Sequence, residues 1–143
     1  MTDEPPDPIG EDDSYHEPLE TIRSPYFEGT QYRDRVELTI TRREMTDDDN
    51  LSEFGDALNT ACEQRQACRI LIDVSHLEYV TSSILSKFIT LNRKMTRGGG
   101  CVVLAAPSSM FREVLEMTNL NDYFQVSKTV EAARAKVRER GDN

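Results

Sequence analysis

The sequence predicts a single α/β domain built on a mainly parallel or mixed sheet, and three observations carry that prediction. Arg69-Ile-Leu-Ile-Asp-Val and Cys101-Val-Val-Leu-Ala-Ala are short, unbroken apolar runs, as found in central strands covered on both faces. Each leads within a few residues into a segment whose apolar side chains recur every three or four positions, the period of an amphipathic helix. Strands alternating with helices imply parallel pairing through right-handed crossovers. At 143 residues the chain holds one domain with a real core.

Each element has its own signal. Val36-Glu-Leu-Thr-Ile alternates with period two, a half-buried strand. An extended piece around Ile22 to Gln31 is expected to pair with it. Thr46-Asp-Asp-Asp-Asn supplies caps and first-turn acids for a helix of about 14 residues, carrying Leu51, Phe54, Leu58 and Cys62. A second helix is expected from about Ser82 to Thr96, with Leu85, Phe88, Leu91, Asn92 and Met95 in its stripe and Ile84 and Ile89 widening it. Gly98-Gly-Gly ends it, because glycine takes the left-handed conformation cheaply. Pro107-Ser-Ser opens a third helix with Phe111, Val114, Leu115 and Thr118. A short strand at Phe124-Gln-Val and a helix from Val130 to Arg140 finish the chain. The prediction is a sheet of about four or five strands with about four helices, and no internal repeat.

Charge divides the chain. Residues 1–25 hold eight acids against Arg23 alone, a net of −7, so only −2 of the total −9 belongs to the remainder. That acidic stretch also has Pro5, Pro6, Pro8 and Pro18 and little that could pack, so residues 1–18 read as a disordered tail and 19–143 as the domain. Without a basic stripe interleaved with aromatics, nucleic acid is not an expected partner. No apolar run reaches bilayer length and the first residues are not a secretory signal. The expectation is a cytoplasmic protein with no membrane partner.

The chemistry-bearing residues gather at the carboxyl edge of the expected sheet, where ligands and partners of such folds meet loops and helix N-termini. Val80-Thr-Ser-Ser places Thr81, Ser82 and Ser83 beside outward-pointing amides at the positive end of a helix. Such hydroxyls serve as caps. The same place also suits a phosphate, which adds close to two negative charges and three acceptor oxygens. Ser108 and Ser109 read as caps on the same edge.

Asp73 at a strand end could be a phospho-acceptor, but Ile40-Thr-Arg-Arg offers none of the acids that would hold a metal nearby; a carboxylate capping the next turn accounts for it. Asp73, His76 and Ser82 are the residue types of a hydrolase triad, yet they lie in one strand-loop-helix unit without a Gly-x-Ser-x-Gly elbow. Gly98-Gly-Gly follows a helix and precedes a strand, the reverse of a phosphate cradle. Asp47, Asp48 and Asp49 lack EF-hand spacing. Cys62, Cys68 and Cys101 lack CxxC spacing and read as small apolar packing residues. No metal and no cofactor is expected.

Residues from about 34 to 140 resemble the STAS domain, the fold of bacterial anti-sigma factor antagonists. The likeness rests on Ile70-Leu-Ile-Asp-Val-Ser-His-Leu-Glu-Tyr-Val-Thr-Ser-Ser-Ile-Leu, on Gly98-Gly-Gly-Cys-Val-Val-Leu-Ala-Ala-Pro, and on Val114-Leu-Glu-Met-Thr-Asn-Leu-Asn-Asp-Tyr-Phe. In that family a loop containing Asp-Ser-Ser-Gly-Leu follows the strand, and an anti-sigma factor that is also a serine kinase phosphorylates its first serine. The resemblance puts Ser82 on that serine and Ser83 on its neighbour, with Thr81 in place of the Asp and Ile84 in place of the Gly.

It implies a non-enzymatic regulatory module of transcription, a monomer or weak dimer. The module would dock on an anti-sigma factor or related serine kinase through Val80, Thr81, Ser82, Ser83, Ile84 and Leu85, flanked by Ser108 and Ser109. Phosphorylation would fall on Ser82, with Ser83 and Thr81 as lesser sites. Two other readings stand beside it: a scaffold associating with other STAS domains, and a small α/β hydrolase, which requires a deep polar pocket at the strand edge.

Overall fold

The computed structural model describes residues 17–62 and 69–141. Its main sheet has six strands in the order β1-β2-β3-β5-β7-β8: β1 (Glu20–Arg23), β2 (Phe27–Gln31), β3 (Val36–Ile40), β5 (Arg69–Asp73), β7 (Cys101–Ala105) and β8 (Gln125–Ser127). The first three form an antiparallel meander, and β3, β5, β7 and β8 run parallel. Two further strands, β4 (Glu44–Met45) and β6 (Tyr79–Val80), pair with each other only. Four helices complete the fold: α1 (Leu51–Cys62), α2 (Ser82–Arg97), α3 (Ser109–Met117) and α4 (Val130–Gly141).

The sheet exceeds the expected strand count because the extended piece before β3 is two strands. Ser24-Pro25 breaks it: the Ser24 hydroxyl accepts from the amides of Tyr26 (3.0 Å) and Phe27 (3.1 Å) and turns the chain back. The β4–β6 pair has no counterpart in the sequence reading, since two residues show no periodicity. The acidic stretch 1–16 and Cys68 lie outside the described residues; Cys62 and Cys101 are buried, as expected of packing residues.

The central strands are sandwiched as their unbroken apolar runs require. Ile70, Ile72, Val102 and Leu104 face a large core with Phe54, Leu58, Phe88, Leu91 and Phe111 of α1, α2 and α3. Leu71, Cys101, Val103 and Ala105 face the other way, onto Ala133 and Val137 of α4. Phe54 stands edge-on to both Tyr26 (5.3 Å) and Phe88 (5.8 Å), joining the meander to the first two helices.

Both middle helices end as glycine and asparagine allow. Gly99 (φ +87°) and Asn119 (φ +60°) take the left-handed conformation. The amides of Gly99 and Gly100 then reach the carbonyls of Thr96 and Met95, and those of Asn119 and Leu120 reach Glu116 and Leu115. This is the paired arrangement that satisfies the last carbonyls of a helix.

Candidate functional site

The start of α2 is held by a segment far away in the chain. The Thr81 amide donates to the Met45 carbonyl at 3.2 Å, and the amides of Glu78 and Tyr79 both donate to the Arg43 carbonyl at 2.8 and 3.2 Å. Arg43 also pairs with Glu78 through side chains at 3.0 Å. Thr81 is the N-cap residue, in extended conformation, and its carbonyl accepts from the amides of Ile84 and Leu85. Its hydroxyl caps nothing. It donates instead to Asp47 Oδ1 at 2.7 Å.

The first turn of α2 is therefore left without a side-chain cap. Ser82 is exposed at that turn, Thr81 and Ser83 are half-buried, and the helix behind them is 16 residues long. Outward amides at the positive end of a helix dipole favour an anion, and a phosphate on Ser82 would lie beside them. The Asp47 carboxylate against Thr81 opposes it. The rim accommodates added negative charge on one side and repels it on the other.

The structure narrows the expected partner-facing residues. Val80, Ile84 and Leu85 are at most 5% exposed and belong to the core, so they cannot face a partner. Helical spacing explains this for Ile84 and Leu85, which share a face with Phe88 and Leu91. Ile84 thus occupies a regular helical position filled by packing, where a glycine would leave a void. Ser108 is a cap: its hydroxyl donates to the Leu77 carbonyl at 2.7 Å and accepts from the Phe111 amide at 3.1 Å. Ser109 is exposed.

Sequence reasoning missed four residues of this rim: Arg43 and Asp47, which brace it, and Tyr79 and Met110, each about half exposed. Tyr79 precedes buried Val80 in β6, which packs against α3. Exposed apolar side chains beside a polar loop have no periodic signature. The only available signal was the alternation of Tyr79 with Val80.

Asp73 caps the following turn as expected, accepting from the Ser75 amide at 2.9 Å. His76 is exposed, and no hydrogen bond among the described residues links it to Asp73 or Ser82. The neighbouring cavity, about 540 Å³ and open, is lined by Thr39, Arg43, His76 and Glu78 among others, and Ser82 is not part of it. Asp49 is engaged by the Thr46 amide (2.8 Å) and by Arg42, which together hold its carboxyl below the usual range. Among the described residues no cluster of His, Cys, Asp or Glu could hold a metal ion. No helix among them is long and apolar enough to cross a membrane.

Comparison with known structures finds the same fold. The Thermotoga maritima protein TM1081, assigned as an anti-sigma factor antagonist, superposes with a TM-score of 0.69 at 20% identity, covering 78% of this chain and 94% of its own. The anti-sigma factor antagonist SpoIIAA in its unphosphorylated form gives 0.64 at 22% identity, covering 79% and 96%. The phosphorylated form of the Bacillus cell-fate determinant SpoIIAA gives 0.59 at 20%, covering 78% and 98%. At such identities the likeness is one of fold. No curated protein matches the chain in sequence. The STAS domain model matches residues 31–133, most of the chain. With a mixed sheet, four helices and a hydroxyl-rich start to α2, the chain belongs to the STAS domain family.

Proposed function

We propose that this protein is a regulatory interaction module of the anti-sigma factor antagonist kind, docking on its partner through the rim formed by Thr81, Ser82, Ser83, Ser109, Tyr79 and Met110. The partner is an anti-sigma factor or related serine kinase, which brings its own ATP. Phosphate on Ser82 releases the complex by adding charge and bulk at the contact. Ser83 and Thr81 are lesser phosphorylation sites, because Ser83 is half-buried and the Thr81 hydroxyl is already bonded.

The observation that carries this reading is exposed Ser82 at a helix start without a side-chain cap, with half-exposed Tyr79 in β6 and Met110 in the first turn of α3, the helix that packs on β6. Support comes from the family match and from the solved structures of SpoIIAA in unphosphorylated and phosphorylated forms, one fold accommodating both states.

The test is recovery of the protein from its own cells, with mass spectrometry for phosphosites and bound proteins, followed by binding of Ser82→Asp and Ser82→Ala variants to the recovered partner. Loss of binding with Ser82→Asp and retention with Ser82→Ala is expected. Parental binding by both variants would refute the switch.

A further inference from the structure

We infer a second ligand site at the opposite end of the sheet, one that takes a small aryl anion. A cavity of about 500 Å³ opens between the last turns of α2 and the strands β7 and β8. It lies beside Cys101, where β7 begins, whereas Ser82 lies on the side where β5 and β7 end. Arg93 and Arg97, one helical turn apart, line it with Thr96, Tyr123 and Gln125, over a floor that includes buried Val102. The volume is that of ordinary small-molecule sites.

Charge selects the ligand. Arg35, Arg42, Arg43, Arg134 and Arg138 all meet carboxylates. Among the described residues Arg93 and Arg97 meet none, and no acid lines their cavity. Two other cavities differ: one sets Arg43 beside Glu28 and Glu78, the other Arg23 beside Glu53 and Asp56. In a chain of net charge −9, two unneutralised guanidinium groups on one cavity are the unusual feature.

Nor are these groups needed as helix caps. The amides of Gly98, Gly99 and Gly100 already take the carbonyls of Lys94, Thr96 and Met95. Guanidinium forks bind phosphate and carboxylate well. Tyr123, 42% exposed and braced edge-on by Phe124 at 5.1 Å, offers an aromatic wall for a flat ligand body.

The probe is phenyl phosphate, titrated into the full ¹⁵N-labelled chain, with inorganic phosphate and phenol as separate arms. Phenyl phosphate is expected to saturate, shifting the amides of Arg93, Arg97, Val102, Tyr123 and Gln125. Inorganic phosphate should bind more weakly and phenol should not bind. The double variant R93Q/R97Q, which changes two exposed side chains, should lose about tenfold or more in affinity. Tyr123→Leu should weaken phenyl phosphate about fivefold and leave inorganic phosphate unchanged.

No saturation below about 10 mM would overturn the inference. So would parental affinity in R93Q/R97Q, or shifts centred on Ser82 and Ser83. Equal affinity for the two phosphates would remove the aromatic half of it.

Discussion

The Thr81 hydroxyl donates to the Asp47 carboxylate at 2.7 Å, so the residue before Ser82 is tied to the loop that opens α1. The bond spans 34 positions of chain and takes from α2 the cap that threonine would otherwise supply. It is a neutral donor on a carboxylate near solvent, and such bonds contribute modestly. A double-mutant cycle of Thr81→Val and Asp47→Ala, measured by urea unfolding, is expected to give a coupling of about 0.5–1 kcal/mol. Additive effects would show that the pair does not brace the rim.

Two serines at helix starts should behave oppositely. Ser108 makes two hydrogen bonds, one of them the cap of α3, and Ser108→Ala should cost about 1–2 kcal/mol. Ser82 is exposed at the start of a helix whose N-cap is another residue, so Ser82→Ala should change stability by less than about 0.5 kcal/mol. Chemical unfolding of both variants decides it. A large loss at Ser82 would mean that the serine is structural.

Glu37 should govern acid stability on the α4 side. Burial alone would raise its carboxyl, but hydrogen bonds from Arg134 (2.8 and 3.0 Å) and then Arg35 (2.6 Å) outweigh it and hold the group below the ordinary glutamate value. A depressed folded pKa means stability that is present above the unfolded value and lost as pH falls through the folded one. Arg35 is almost fully buried, and neutralising Glu37 removes one of the two carboxylates it meets, the other being Asp34. Glu37→Gln should therefore cost about 2–3 kcal/mol at pH 7, with the gap to the parent closing as pH falls below the ordinary glutamate range. Unfolding curves across that range test the sign; a constant gap would refute it.

Ala106 carries backbone strain at the junction of β7 and α3, with φ +54° immediately before Pro107. An L residue other than glycine pays about 1–2 kcal/mol there. The Ala106 amide meanwhile bonds the Ser127 carbonyl at 2.8 Å, which holds the turn in place. Ala106→Gly is expected to leave stability unchanged or raise it by up to about 1 kcal/mol in thermal unfolding, the offset being glycine's greater unfolded entropy. Clear destabilisation would show that the methyl group matters more than the strain.

Most elements were legible because their signals are local. The unbroken runs at 69–73 and 101–105 became central strands with both faces covered, and the stripe from Ile84 to Met95 became the buried face of α2. The Gly98-Gly-Gly stop and the Ser108 cap followed from residue chemistry alone. The meander was half-read, since one proline decides between one long strand and two short ones. The β4–β6 pair was invisible, because its order comes from the backbone of a distant segment. At the rim, spacing located Ser82 but did not separate it from its buried neighbours Val80, Ile84 and Leu85.

By itself the sequence determined the α/β class, the order of the central strands and the four helices, and the family resemblance, since these rest on periods and caps that extend over a few residues. Tertiary structure alone decided that Asp47 takes the Thr81 hydroxyl, that Tyr79 and Met110 face solvent, and that Arg93, Arg97 and Tyr123 share one cavity. The reason is physical: each depends on which strands lie side by side and in what register, and that is set by burying both faces of one sheet together rather than by any short stretch of chain.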